Sequence, residues 1–570
     1  MSTFPWLTVM GAVPLAGALV IAALPGGPGG SSPGPALPGG PGGRPPGSAL
    51  PGDSPGEPER TPGAEPVAPG AFAAGESRAL LAKRLALVFT LATLVIAIVV
   101  ALRFKPGGPQ FQFTETYNWI PQFGVHYAVG VDGIALVLVL MSVVLMPVVV
   151  LASWHDADVA GGARRSVKTY FSLMLVLETM IIGVFVATDV FLFYVFFEAM
   201  LIPMYFMIGS FGVGQRQYAA VKFLLYSLLG GLLMLVAVIA LYVYSTAGGA
   251  KGTFLFTSLT HLTLGLAAQK WLFLGFFVAF AIKAPLWPFH TWLPDAATAA
   301  QPGAAVLLVG VLDKVGTFGM LRYCLELFPA GSRYFTPLVI TLAVIGILYG
   351  AIVAIGQTDM KRLIAYTSVS HFGFIALGIF VLTTQGQSGA TLYMVNHGFA
   401  TGALFLIAGF LISRRGSQRI ADYGGVQNVA PILAGLFLVA GLATLSLPGL
   451  STFVSEFLVL VGTFTRYKVP AVLATLGMIL AAIYILWMYQ RTMNGPTRDA
   501  VKGMADLKAR ELWAVGPLIA LIIALGVYPQ PLLKIINPAV RHTMTQVHAT
   551  DPPPAVSTPA PAAAVKGATP

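Results

Sequence analysis

Cysteine and charge are both scarce in this sequence of 570 residues. The single cysteine, Cys324, excludes a disulfide framework, a thiolate zinc site and a cysteine-ligated iron–sulfur cluster. Charged residues make up only 10% of the chain, whereas soluble domains carry about 25%. Together with 56% hydrophobic residues, this composition excludes a soluble globular protein. Any redox chemistry coupled to this chain is therefore expected to take place elsewhere.

Long apolar runs are abundant instead. They show no alternation of apolar and polar residues, which excludes an outer-membrane barrel. A helix crosses a bilayer in roughly 20 apolar residues, so the runs predict an all-α polytopic membrane protein with about fourteen transmembrane helices. The predicted spans are 5–24, 80–102, 132–152, 169–188, 190–210, 218–244, 271–290, 304–324, 334–356, 363–383, 389–412, 431–466 (broken), 470–490 and 511–529.

The basic residues indicate the orientation of the chain in the membrane. The net charge of +11 would suggest a nucleic-acid ligand in a soluble protein, but here the Lys and Arg residues fall in short loops between spans. Loops that follow odd-numbered spans hold 19 of them, and the other side holds 10. Positive loops stay in the cytoplasm, so both termini are predicted on the outer face of a bacterial plasma membrane. The predicted partner is the lipid bilayer, and no nucleic acid is expected.

Two segments have low sequence complexity, namely the stretch between the first two spans and the C-terminal tail. The Pro- and Gly-rich stretch between the first two spans has almost no aromatic or β-branched residues, so it predicts a disordered loop. The predicted division of the chain is a first transmembrane helix (1–24), the loop (25–79), helices two and three (80–168), a first repeat (169–324), a second repeat (334–492), a final span (493–530) and a low-complexity tail (531–570).

Ionisable residues inside the spans are the most informative feature. Each costs at least about 2.5–3.5 kcal/mol at mid-bilayer and is by default a functional candidate. They are expected to face one another, or water, along an internal polar path. These residues are Glu178, Glu198, Lys222, Lys283, Asp313, Lys314, His371, His397 and Glu456.

Prolines predict helix breaks beside two of these residues. Pro285 removes a backbone donor and clashes with the carbonyl of Ala281, so it opens the seventh span beside Lys283, where freed carbonyls are expected to solvate the ammonium. His290, seven residues on, could carry protons toward the cytoplasm. In the twelfth span, Pro448 breaks the helix before Glu456. Two such breaks indicate an inverted-repeat transporter, with spans four to eight and nine to thirteen as five-helix units of opposite topology.

Each candidate also has a structural interpretation. Lysines near span ends snorkel to the headgroups, which suits Lys222 better than Lys283. Asp313 is a possible neutralising neighbour of Lys314, although adjacent residues point away from each other on a helix. The alternative for His371 and His397 is a structural histidine bonded to a serine or a backbone carbonyl. The remaining alternatives are a helix contact for Glu178, a cap on freed backbone donors for Glu456, and a helix N-cap for Asp132.

Six strings carry a resemblance to a known family. The sequence resembles the antiporter-like membrane subunits of the proton-pumping NADH–quinone oxidoreductase, respiratory complex I, over about residues 115–530. Glu456 is typical of the M-chain branch, since the L and N chains and the multisubunit cation/proton antiporters usually have lysine there. The strings are FYVFFEAMLIPMYFMIG, AFAIKAPLWPFHTWLPDA, GVLDKVGTFGMLRY, DMKRLIAYTSVSHFGF, MVNHGFATGALFLIAG and LPGLSTFVSEFLVLVG.

The resemblance implies roles for these positions. Glu198 matches the family's fifth-span glutamate, Lys283 its broken-helix lysine and Lys314 its central connecting lysine. Glu456 matches the exit-side carboxylate, and Glu178 a second acidic residue of the fourth span. The histidines His290, His371 and His397 match family histidines that lie between the charged centres. One departure, Ala297-Thr298 after LPDA, concerns only a polar contact at the cytoplasmic end.

The implied activity is proton translocation coupled to redox chemistry in other subunits. Burial opposes the charge on Glu198 and on Lys283, whereas their attraction favours both charges. Separating the pair would discharge Lys283 and send a proton past Lys314 to Glu456. The resemblance implies neighbouring L-type and N-type chains as partners, with NADH, FMN, iron–sulfur clusters and quinone in other subunits and no cofactor or metal on this chain. The alternatives are an autonomous or multisubunit cation/proton antiporter, and a scaffold subunit with a vestigial polar path.

Overall fold

The protein is described from a computed structural model, which covers residues 4–25, 69–158, 166–249 and 251–553. It is almost entirely helical. The helices are α1 (Trp6–Ala23), α2 (Pro69–Arg103), α3 (Gly133–Ala152), α4 (Val167–Val186), α5 (Val190–Ala199), α6 (Leu201–Phe211), α7 (Arg216–Ser245), α8 (Phe256–Leu259), α9 (Leu266–Lys283), α10 (Trp292–Ala299), α11 (Pro302–Leu307), α12 (Asp313–Gly319), α13 (Pro329–Ile355), α14 (Met360–Phe380), α15 (Thr384–Arg415), α16 (Pro431–Thr444), α17 (Ser451–Phe464), α18 (Lys468–Met493), α19 (Ala509–Val527) and α20 (Gln530–Gln546).

Fourteen membrane crossings account for most of these helices. Within the described ranges, thirteen helical segments are long and apolar enough to span a bilayer. The shorter apolar helices α16 and α17 together form the remaining, broken crossing. The predicted fold class is therefore confirmed. Since the number of crossings is even, both ends of the helical body lie on one side, which we call the terminal face.

The broken helices occupy corresponding places in the two five-helix units. The fourth crossing of the first unit is divided into α9 and α10, and the fourth crossing of the second into α16 and α17. Pro285 and Pro448 lie in the two interruptions, as predicted. Because proline cannot donate a ladder hydrogen bond, each helix ends within a few residues of it.

Helices α14 and α15 lie at the centre of the bundle. Nearly all of their residues are buried, whereas α7 and α18 expose long rows of apolar side chains. This pattern is the one expected for inner and lipid-facing helices. The polar residues of α14 and α15 are therefore shielded from lipid by the surrounding helices.

A β-hairpin covers part of the terminal face and was not predicted from the sequence. Strands β1 (Gln112–Ile120) and β2 (Val125–Val131) pair antiparallel. Gly124 closes the turn with a φ of 63°, and a side chain there would strike the backbone of Gly252. Glu115 accepts hydrogen bonds from the backbone of Leu7 at 2.9 Å and from the hydroxyl of Thr8, which attaches the hairpin to α1.

Two predicted boundaries are wrong. Helix α2 begins at Pro69, inside the predicted loop 25–79, because its sequence there is rich in alanine and other helix formers. Residues 26–68 of that loop lie outside the described part. Helix α20 occupies 530–546 of the predicted tail 531–570, and 554–570 again lie outside. A search for 20-residue apolar runs overlooks α20 because only one face is apolar, with Ile536, Val540 and Met544 buried.

Candidate functional site: a buried polar axis

Lys314 is bonded to a histidine in the centre of the protein. Its Nζ donates to Nδ1 of His397 on α15 at 2.7 Å and to the carbonyl of Val309 on its own helix at 2.6 Å. Both side chains are almost fully buried. The ammonium also lies 5.1 Å from the centre of the Phe372 ring, a favourable cation–π distance. The structure thus places Lys314 and His397 in direct contact, as the predicted polar path requires.

His371 continues the row from α14. Its ring centre lies 5.2 Å from that of His397 and 5.8 Å from that of Tyr393. It also lies close to the backbone of Thr444, the last residue of α16 before the helix break. The alternative for His371 was a structural histidine bonded to a serine or a backbone carbonyl, and its Nδ1 has no hydrogen-bond partner among the described residues.

Glu456 ends the row beside the second helix break. Its Oε2 accepts hydrogen bonds from the Tyr393 hydroxyl at 3.3 Å and from the Ser446 hydroxyl. These partners are side chains, so the alternative in which Glu456 caps freed backbone donors is wrong. Asn396 attaches α15 to the same break by donating to the Ser451 carbonyl at 2.6 Å. The break therefore positions Glu456 against α15.

Tyr393 and Ser446 were not singled out as site residues. Tyr393 lies four residues before His397, so both occupy the same face of α15. That spacing was visible in the sequence and was the available signal for Tyr393. Nothing in the sequence pointed to Ser446, which has a φ of 63° within the break.

Lys283 and Glu198 lie near each other on α9 and α5. No ion pair within 4.0 Å joins them, although their charges attract, and Nζ of Lys283 makes no hydrogen bond to any described residue. The ammonium instead lies 5.0 and 5.7 Å from the ring centres of Phe197 and Phe223. Glu198 packs against α7 so closely that a methyl group at Gly231 would overlap its carboxylate. The pair is thus held in proximity without direct contact.

The expected solvation of Lys283 by freed carbonyls is wrong. The Ala281 carbonyl accepts from the backbone of Leu286 at 2.9 Å, and the Ile282 carbonyl accepts from the indole of Trp292 at 2.9 Å. Both carbonyls are therefore satisfied by the chain that follows the break. Lys283 is left at the end of α9, where the negative end of the helix dipole favours its charge.

Lys222 lies at an ion-pair cluster away from these residues, on the face opposite to the terminal face. Its Nζ donates to Asp295 of α10 at 2.7 Å, and Arg362 of α14 donates to the other oxygen of Asp295 at 2.7 Å. This cluster joins the two five-helix units. Neither Asp295 nor Arg362 was predicted, since their partners are distant in sequence.

Two further predicted residues make no polar contact with the row. His290 packs against the rings of Tyr349 and Tyr366, and neither of its nitrogens has a hydrogen-bond partner among the described residues. Glu178 is buried in α4, and both of its oxygens lack such a partner within the described ranges. The structure thus brings together Lys314, His397, His371 and Glu456, but not Glu178, Lys222 or His290.

Replacing Asp295 by asparagine is expected to weaken the contact between the two units. Lys222 and Arg362 would then face each other as unpaired cations. Because both are partly exposed, we expect a loss of about 1 kcal/mol per pair. The measurement is the midpoint of thermal aggregation of the detergent-extracted protein. Asp499→Asn, which removes an exposed carboxylate paired with Lys502, is the matched control and should leave the midpoint unchanged; equal midpoints for the two variants would contradict the prediction.

Comparison with known proteins identifies close relatives. The family model described as "NADH:quinone oxidoreductase/Mrp antiporter, TM" matches residues 187–483. NADH-quinone oxidoreductase subunit M of Mycobacterium tuberculosis is 52% identical over 99% of this chain and 98% of its own length. A chain of respiratory complex I from Thermus thermophilus superposes with a TM-score of 0.75 at 34% identity, covering 83% of this chain and 97% of that one. The Mrp complex from Dietzia shares the fold with a TM-score of 0.76 at 18% identity, covering 96% of this chain and 99% of that one.

Proposed function

Because this chain belongs to the family of NADH-quinone oxidoreductase M subunits, the antiporter-like membrane subunits of complex I, we propose that it moves protons across the membrane through its interior. The observation that carries the proposal is the buried row formed by Lys314, His397, His371, Tyr393 and Glu456. Each of these groups can take up or release a proton, and a buried row of such groups is characteristic of proton relays in membranes. The redox reaction that drives transport is assigned to partner subunits.

Proton movement along the row requires only short steps. The contacts from Lys314 to His397 and from Tyr393 to Glu456 are within hydrogen-bond range at 2.7 and 3.3 Å. Between them, the two histidine rings are separated by 5.2 Å, so a ring rotation or a bridging water completes the link. Histidine is suited to this step because one ring nitrogen can accept a proton while the other donates one.

The pair of Glu198 and Lys283 supplies the trigger in this proposal. The ammonium of Lys283 is stabilised by the nearby carboxylate and by two aromatic rings, and it has no hydrogen bond to a described residue. Moving Glu198 away would remove the attraction, and burial would then favour neutral Lys283 and the release of its proton. Glu198 is only partly buried, so a charge change in an adjacent L-type or N-type chain can act on it.

The direction of transport follows from the positive-inside rule. The larger number of basic loop residues lies opposite to the terminal face, which puts that side in the cytoplasm and both termini outside. Lys283 lies at the break of the seventh crossing, and Glu456 in the second half of the twelfth, toward the terminal face. Protons therefore enter from the cytoplasm near Lys283 and leave past Glu456 to the outside of a bacterial plasma membrane. Lys222, His290 and Glu178 are proposed to serve the entry side.

Replacing Lys283 by alanine tests the proposal. In membrane vesicles that contain the whole enzyme, we expect NADH-driven proton uptake, followed with a pH-sensitive dye, to fall about tenfold because the first proton donor is lost. Reduction of ferricyanide by NADH reports how much assembled enzyme is present. Lys270→Ala, which removes a lysine from the start of the same helix, is the matched control. Wild-type proton uptake in the Lys283→Ala enzyme would overturn the proposal.

The nature of the assembly separates this function from that of a cation/proton antiporter. We expect the chain, extracted in mild detergent, to migrate with a large complex that oxidises NADH with a quinone acceptor. The shared fold with the Mrp complex does not distinguish the two functions. Migration with a few small membrane subunits, together with sodium-dependent proton exchange and no NADH oxidation, would support the antiporter instead.

A further inference from the structure

Asp313 is a buried acidic residue to which the proton path described above gives no role. Its side chain is completely inaccessible, and neither carboxylate oxygen has a hydrogen-bond partner among the described residues. Burying a carboxylate in this way is costly unless an opposite charge compensates for it or the group binds a proton. The cations whose charges act on Asp313 are Lys314, its neighbour in sequence, and Lys283 on α9.

The packing of α12 brings Asp313 to the break in α9. Gly316, one turn further along α12, lies so close to α9 that an added Cβ would be 2.5 Å from the Phe280 carbonyl and 2.6 Å from the Ala284 backbone nitrogen. The Phe280 carbonyl lies three residues before Lys283 and the Ala284 nitrogen directly follows it, so both atoms are at the end of α9. Since residues three apart share a helix face, Asp313 lies on the face of α12 that packs against the break.

Lys314 faces the other way. Adjacent residues on a helix point in different directions, and Nζ of Lys314 contacts His397 of α15 rather than α9. The backbone from Leu308 to Leu312 is π-helical, and the Val309 carbonyl within it accepts from Nζ of Lys314. A π-helical turn of this kind often marks a functional site. The π-helical turn is therefore followed by two charged residues: Asp313, on the face toward α9, and Lys314, which contacts α15.

We propose that Asp313 is the proton relay between Lys283 and Lys314. In the first step the Lys283 ammonium gives a proton to the Asp313 carboxylate, leaving a neutral amine and a carboxylic acid. In the second step the acid gives its proton to a neutral Lys314 amine and becomes a carboxylate again, while Lys314 becomes an ammonium. Charge is conserved in each step and no other reactant is needed. The inference rests on the proposed function.

Replacing Asp313 by asparagine tests the relay in the whole enzyme. Asparagine has nearly the same shape but takes up no proton, so NADH-driven proton uptake per assembled enzyme is expected to fall about tenfold. Asp158→Asn is the matched control, since it removes a half-exposed carboxylate that pairs with Lys83 far from the axis. Wild-type uptake in Asp313→Asn, with uptake lost in Lys283→Ala, would overturn the relay and leave the proposed function standing. Wild-type uptake in both variants would overturn the proposed function itself.

A second variant separates a relay from a fixed counter-charge and also decides the matter if Asp313→Asn does not assemble. Asp313→Glu keeps a carboxylate whose ordinary pKa is about 0.4 higher than that of aspartate. If the group gains and loses a proton in each cycle, the pH profile of proton uptake shifts upward by a similar amount. An unchanged profile in the assembled Asp313→Glu enzyme would show a fixed charge and overturn the relay.

Discussion

Replacing Glu456 by glutamine is expected to reduce NADH-driven proton uptake about a hundredfold, the effect of losing an essential proton-transferring group. Glutamine has nearly the same shape as glutamate, and its carbonyl still accepts hydrogen bonds from Ser446 and Tyr393. It cannot bind and release a proton, however. The loss should be the largest on the axis because the structure places no second carboxylate beside Glu456 within the described residues.

Two further variants give this prediction its controls. Tyr393→Phe removes the hydroxyl that donates to Glu456 and should cause a smaller loss, because water can take over part of the transfer. Thr463→Val lies on the same helix, removes only a bond to the Val459 carbonyl, and should pump like the wild type. Proton uptake is measured in vesicles and divided by ferricyanide reduction. A Glu456→Gln enzyme that pumps as well as Thr463→Val would show that protons do not pass through Glu456.

Replacing Arg322 by methionine is expected to lower the free energy of unfolding by about 3–5 kcal/mol, the range for removing one partner of a buried ion pair. Arg322 pairs with Asp132 at 2.7 Å, and both side chains are almost completely buried. The guanidinium also lies 4.7 Å from the ring centre of Phe111. Glu326 is a second buried carboxylate that Arg322 attracts, and burial raises the pKa of Glu326 to about 7 despite that attraction. Without Arg322, the buried carboxyl groups of Asp132 and Glu326 would lose the positive charge that attracts them.

The loss of Arg322 should weaken the contacts that Glu326 makes at the terminal face. Glu326 accepts from Thr543 of α20 at 2.8 Å and from Gln110, which precedes the β-hairpin, at 3.1 Å. We expect Arg322→Met to lower the temperature at which the assembled enzyme loses NADH-quinone activity. Arg322→Lys keeps the charge and should lose less, and Arg541→Met on the exposed side of α20 should lose nothing. Equal inactivation temperatures for Arg322→Met and Arg541→Met would refute a stabilising role for the pair.

The role of a residue was predicted correctly where an interaction with its neighbours in sequence determines that role. Asp132 was expected to cap a helix, and its side chain accepts from the backbone of Ala135 at 2.8 Å at the start of α3. Its second role, as the partner of Arg322, depends on a residue 190 positions away and had no local signal. Lys222 shows the same limit, because snorkelling to the headgroups was its local alternative and its actual partner is Asp295.

Hydropathy, proline positions and charges in apolar runs were enough to determine fourteen crossings, two broken helices and the residues that need an internal polar environment. These properties follow from the sequence because lipid imposes the same requirement on every segment: about 20 apolar residues, satisfied backbone groups and no unpaired charge. Only the tertiary structure decided which charges meet. Lys314 contacts His397, and Gly316 packs α12 against the break at Lys283, because separate helices cross there. Such contacts depend on how helices pack, and the periodicity of one helix contains no information about its neighbours.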